Sequence, residues 1–110
     1  MTVERRSILL LLFAFMGGCA AYPDRFEVSV ADGDRPKSVK LFLCDRYKAD
    51  IPANSGRYLL IHEIDCEGAG QIFVSYVGGS SVACPIGYVT PNSGQVWRFR
   101  ASRLRCEAVI

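Results

Sequence analysis

The sequence predicts an all-β domain: a small sandwich or barrel of short antiparallel strands, stapled by disulfides and preceded by an apolar, helical leader. The first reason is periodicity. Apolar and polar residues alternate over short stretches, as in half-buried strands, and no long amphipathic helix follows the leader. The second is punctuation, because clusters of Gly, Pro, Asn and Asp recur between those stretches. The third is cysteine usage, with Cys44, Cys66, Cys84 and Cys106 in a domain too small for a large core.

The first strand is expected around Phe26, Val28 and Val30, which alternate with Glu27 and Ser29. Asp32-Gly33-Asp34-Arg35-Pro36 is a turn. Val39, Leu41 and Leu43 alternate with Lys40, Phe42 and Cys44 and make a second strand, expected to pair with the first as a hairpin. Tyr58 to Cys66 is read as a strand, although its length also allows a short helix. Ile72 to Val77 is a strand, and Gly78-Gly79 is a two-residue turn into Ser80 to Cys84. Gly87 to Thr90 is extended. Val96-Trp97-Arg98-Phe99-Arg100 places Trp97 and Phe99 on one face and Arg98 and Arg100 on the other.

The cysteines repeat. Cys44 to Cys66 and Cys84 to Cys106 are each 22 residues apart, and each interval contains an Asn-Ser-Gly turn, at 54–56 and 92–94. This points to two related hairpin units, about 39–67 and 79–107. Folding back at each turn brings the ends together, which predicts the pairs Cys44–Cys66 and Cys84–Cys106. Four cysteines allow three pairings, so the other two stay open. Each bridge would close a 22-residue interval and contribute roughly 3 kcal/mol in the chain-entropy picture. A metal site is not expected, since the chain has a single histidine and no Cys-x-x-Cys pair.

The leader sets the expected location. Arg5 and Arg6 precede an apolar run from Ile8 to Met16, followed by Gly17, Gly18 and Cys19. This is the layout of a secretory signal, and the run is shorter than the roughly 20 residues that span a bilayer. Met16-Gly17-Gly18-Cys19 resembles the lipobox of bacterial lipoproteins, with Met where that family prefers Leu. The resemblance implies cleavage before Cys19 and acyl chains on that residue. It also implies sorting to the outer membrane in a diderm cell, because Ala20 rather than Asp follows. Arg5-Arg6-Ser7-Ile8-Leu9 also resembles a loose twin-arginine signal, leaving the export route open. The expected parts are thus a signal peptide (1–18), a lipidated tether (19–24) and a β domain (25–110).

Charge narrows the partners. The chain carries 13 basic and 11 acidic residues, which excludes a bulk polyanion binder. The second half is nonetheless one-sided: residues 68–110 hold Arg98, Arg100, Arg103 and Arg105 against Glu107 alone. Arginine's planar fork suits phosphate and carboxylate. A bulge or turn near Ala101-Ser102 would gather all four arginines, and the expected contact surface combines them with the rest of the 92–105 hairpin, Trp97 included. The expected function is a non-enzymatic binding or structural module. It would be membrane-anchored through Cys19 and would contact an envelope protein or an anionic glycan or lipid, with no nucleic acid and no cofactor.

Two other readings accompany it. Ser93-Gly94-Gln95-Val96-Trp97 resembles the Ser-Gly-x-x-Tyr loop of envelope-bound inhibitors of c-type lysozyme, with Trp97 in place of Tyr. That resemblance implies an inhibitor acting through the Ser93-Gly94 loop. His62, with Glu63 and Asp65 nearby, is the starting point for a small hydrolase, but no nucleophile elbow, phosphate loop or His-Glu-x-x-His accompanies it.

Overall fold

In the computed structural model, residues 22–31 and 33–109 are described, and they contain nine strands and no helix. The leader, Cys19 and the first half of the tether lie outside the described residues, so the lipobox reading is not addressed by the fold.

The strands are β1 (Asp24–Val30), β2 (Pro36–Leu43), β3 (Arg46–Asp50), β4 (Ala53–Asn54), β5 (Arg57–His62), β6 (Gly68–Tyr76), β7 (Ser81–Val89), β8 (Val96–Ala101) and β9 (Cys106–Ala108). They form two sheets, ordered β4-β5-β1-β8-β9 and β3-β2-β6-β7. The sheets face each other as a sandwich. Phe26, Val28, Phe99 and Ala101 of the first meet Leu41, Leu43, Ile72, Val74, Tyr76 and Ile86 of the second, all buried. Period-2 alternation produces this directly, since every second residue of each long strand faces the opposite sheet.

Two expectations about pairing are corrected. β1 and β2 do not form a hairpin: β1 pairs with β5 and β8, while β2 pairs with β3 and β6. Alternation marks which face of a strand is buried, and two apolar rows satisfy it equally well side by side or across a core. The turn through Gly33 therefore carries the chain from one sheet to the other. The strands are also not all antiparallel, because β1 and β8 run parallel from Arg25↔Val96 to Val30↔Ala101.

Both expected disulfides are present, Cys44–Cys66 and Cys84–Cys106. Neither closes a simple hairpin. Cys44 sits in the tight β2–β3 turn at φ 54°, and Cys66 lies in the β5–β6 link. Gly68 covers this bridge so closely that a Cβ there would stand 3.3 Å from Cys44 Sγ. Cys84 is in β7 and Cys106 in β9, so the second bridge ties one sheet to the other. The two 22-residue intervals hold different strand sets, β3 to β5 in one and β8 in the other. The Asn54-Ser55-Gly56 turn joins the paired strands β4 and β5, whereas Asn92-Ser93-Gly94 lies on a crossover between sheets.

The β6–β7 hairpin stands where Gly78-Gly79 placed it, with one more loop residue. The Tyr76 N–H donates to the Ser80 carbonyl at 2.8 Å, and both glycines have positive φ. β5 ends at His62, four residues short of Cys66, and Ile64 turns inward to 5% exposure.

Because Cys84–Cys106 crosses between sheets, replacing both with Ser should lower the unfolding free energy by about 3 kcal/mol. Urea unfolding of the oxidised protein and the double variant checks this. Equal midpoints would show that the bridge adds nothing to the packed core.

Candidate functional site

The outer face of the first sheet gathers five of the eight arginines among the described residues. On β1, Phe26 and Val28 point into the core, so Arg25, Glu27 and Ser29 point away from it. The register then builds rows. Arg25 lies between Ile61 of β5 and Val96 of β8, and Glu27 lies between Leu59 and Arg98. Ser29 is beside Arg100, which pairs onward with Glu107 of β9.

Glu27 is only 6% exposed although it lies on an outer face. Three guanidinium groups cover it. Arg25 Nε donates to Oε2 at 2.7 Å, Arg57 Nη1 donates to Oε1 at 3.2 Å, and Arg98 Nε stands 3.6 Å from Oε2. A buried carboxylate is tolerated only when paired, and here it is paired more than once. The arginines themselves remain about half exposed, so their outer edges still meet solvent. Arg105 Nε bonds Glu107 at 3.0 Å with three quarters of its side chain exposed. The face thus carries Arg25, Arg57, Arg98, Arg100 and Arg105 against Glu27 and Glu107. Two shallow depressions of about 200 and 180 Å³ sit among these residues, one floored by Ser29 and Phe99 and the other by Ala101 and Ser102.

Arg103 leaves this face. The Ser102 N–H donates to the Arg105 carbonyl at 2.8 Å, so the chain reverses there and Arg103 turns toward the other sheet. Its Nη1 donates to the Val77 carbonyl at 3.1 Å, its Nε stands 3.6 Å from Asp34 Oδ1, and its guanidinium stacks 4.9 Å above the Tyr76 ring. The expected four-arginine cluster is therefore three arginines and one internal clamp. Arg25 and Arg57 join instead. Arg25 was legible as an outward position of β1, but Arg57 comes from a strand whose pairing the sequence did not reveal.

Trp97 and the Ser93-Gly94 loop are also tied inward. Asp24, fully buried at the start of β1, accepts from the Ser93 hydroxyl at 3.1 Å and the Gln95 N–H at 3.0 Å on Oδ1. The Trp97 indole N–H donates to Oδ2 at 2.9 Å. Trp97 is half-buried on the inner side, next to buried Phe99, rather than beside the arginines. The loop is exposed along residues 91–95, but its Ser93 hydroxyl bonds within the domain. Gly94, at φ 63°, packs beside Tyr22, where a Cβ would stand 3.4 Å from the Tyr22 Cβ. His62 lies opposite Asp24 in the β1–β5 register and makes no cluster that would hold a metal among the described residues.

Replacing Asp24 with Ala would leave the half-buried Trp97 N–H without its acceptor at a cost of about 1–3 kcal/mol, whereas Ser93 and Gln95 are exposed and can turn to water. Asp24→Ala should therefore destabilise by about 1–3 kcal/mol in urea unfolding and expose Trp97 to a soluble fluorescence quencher. A variant with wild-type stability and quenching would show that the network is dispensable. The chain matches no protein-family model, no curated protein and no solved structure.

Proposed function

We propose that this chain is an exported bacterial lipoprotein, cut before Cys19 and held on a membrane by acyl chains there. Its β domain acts without catalysis, binding an anionic component of the cell envelope through the outer face of the β4-β5-β1-β8-β9 sheet. The observation that carries the reading is the concentration of Arg25, Arg57, Arg98, Arg100 and Arg105 on that one face. The two disulfides are compatible with an oxidising, extracytoplasmic compartment.

Geometry supports the pairing of anchor and face. Asp24 lies five positions after Cys19, and a tether of that length reaches at most about 17 Å. An acylated Cys19 therefore holds the start of β1 close to the bilayer. The first row of the face, Ile61-Arg25-Val96, stands at that same end of β1, with Ile61 and Val96 60% and 48% exposed. The partner is then an acidic protein face, an anionic glycan or a lipid headgroup lying near the membrane surface.

Two experiments test this. Radiolabelled palmitate should incorporate into the wild-type chain and not into Cys19→Ala; equal labelling of both, or of neither, would remove the anchor. Cross-linking in native envelopes, read by mass spectrometry, should lose at least one partner in the triple variant Arg98→Ser/Arg100→Ser/Arg105→Ser, and raised salt should weaken the same contact. Arg103→Ser is the internal control, since that arginine faces elsewhere. An identical partner set in the triple variant would reduce the arginines to solvated charge.

A further inference from the structure

The opposite outer face, on the β3-β2-β6-β7 sheet, has a different chemistry. Leu41 and Leu43 of β2 and Ile72 and Val74 of β6 point into the core, which leaves Phe42 and Phe73 pointing out. Their rings meet edge to face with centroids 5.2 Å apart, and Tyr47 of β3 packs on Phe42 at 5.8 Å. Tyr47 is exposed, while Phe42 and Phe73 are half-buried.

Beside Phe42 lies an open depression of about 360 Å³, lined by Phe42, Asp45, Ala69, Gly70 and Gln71. Its floor is low because Ala69, an outward position of β6, carries only a methyl group. Gly70 is obligatory, since a Cβ there would lie 2.7 Å from the Leu43 side chain and 3.0 Å from the Phe42 carbonyl. The ladder is irregular here: Gln71 pairs with Pro85 but Ala69 pairs with Tyr88, so β7 bulges opposite Gly70. Bulges re-aim side chains and recur beside binding sites. Tyr88 stands across from Ala69 with 62% exposure, and its hydroxyl donates to Glu67 Oε1 at 3.0 Å.

Asp45 reaches the rim through the β2–β3 turn. Cys44 and Asp45 both have positive φ, 54° and 63°, a conformation that residues other than Gly, Asn and Asp rarely take. The Cys44–Cys66 bridge holds the first of them. Positive φ at both positions is what a two-residue hairpin turn requires, and the turn sets the Asp45 carboxylate at the mouth of the depression.

We infer that this depression is a subsite for one unit of a neutral polysaccharide, a hexopyranose packed against Phe42 with its hydroxyl groups on Asp45 and Gln71. A pyranose ring has an apolar C–H face and a rim of hydroxyls. An aromatic ring matches the first, and a carboxylate beside a primary amide matches the second as acceptor and donor. The volume is at the lower end for small-ligand sites, and the open shape leaves room for neighbouring units of a chain. The lining has a carboxylate and no basic group, with Glu67 nearby, so an anionic ligand is disfavoured. The site lies on the other side of the sandwich from the arginines and does not depend on what they bind.

The test is calorimetric titration of the full chain, held in a zwitterionic detergent, with cellotetraose and with tetra-N-acetylchitotetraose. At least one should bind with a dissociation constant at or below about 1 mM. Phe42→Leu, which keeps apolar packing but removes the flat ring, and Gln71→Ala should each weaken that binding tenfold or more. Arg98→Ser/Arg100→Ser should leave it unchanged. Thermal unfolding confirms that each variant is folded. Absence of heat with both tetrasaccharides overturns the proposal, as does binding that survives Phe42→Leu and Gln71→Ala. Loss confined to the arginine variant would move the sugar to the basic face and equally overturn it.

Discussion

Asp24 joins the two ends of the domain. It is the first residue of β1, and its two carboxylate oxygens accept from Ser93, Gln95 and Trp97, about seventy residues later in the chain. The Arg25 N–H adds a bond to the Gln95 carbonyl at 2.9 Å. These contacts bring the crossover after β7 back to the start of β1 and set β8 parallel to it. A parallel pair cannot be closed by a short turn, so its register has to be set by contacts of this kind. The rest of the first sheet follows. With Val96 beside Arg25, Arg98 is beside Glu27 and Arg100 beside Ser29. A one-residue slip would turn Phe99 out of the core and the arginines into it.

The carboxylate of Glu27 is the second consequence of that register. It is shielded from water by Arg25, Arg57 and Arg98, which come from three strands that are neighbours only in the folded sheet. One acid shared by three bases satisfies the buried charge and still leaves the face positive. The same economy shapes the other end of the sandwich. There Arg103 joins the β8–β9 turn to the β6–β7 hairpin and to Asp34, with its guanidinium over the ring of Tyr76. Arginine suits both roles because its fork donates in one plane while its flat surface stacks.

The disulfides act where the sheets alone are weakest. β9 is three residues long and pairs only with β8, and Cys84–Cys106 fastens it to the opposing sheet. Cys44–Cys66 fastens the β2–β3 turn to the link between the sheets, and in doing so stabilises two left-handed residues in succession. Each bridge thus has a local structural task in addition to any effect on the unfolded chain.

The sequence by itself determined the all-β class and most of the inward-facing residues, and it pointed to the two disulfide pairs without excluding the other pairings. These follow from local quantities: period-2 alternation, turn residues and the symmetric placement of cysteines. It also marked Arg98 and Arg100 as a pair on one face and, had outward positions been read as closely as inward ones, would have marked Phe42 and Phe73. The tertiary structure alone decided which strands are neighbours. Alternation is blind to that choice, because a buried row is satisfied by any apolar row across from it. So the expected β1–β2 hairpin became two strands in opposite sheets, Arg103 parted from its sequence neighbours, and Arg57 met Glu27 across β5 and β1. Both candidate faces are made of such neighbours, which is why their composition was hidden in a chain whose strands were largely visible.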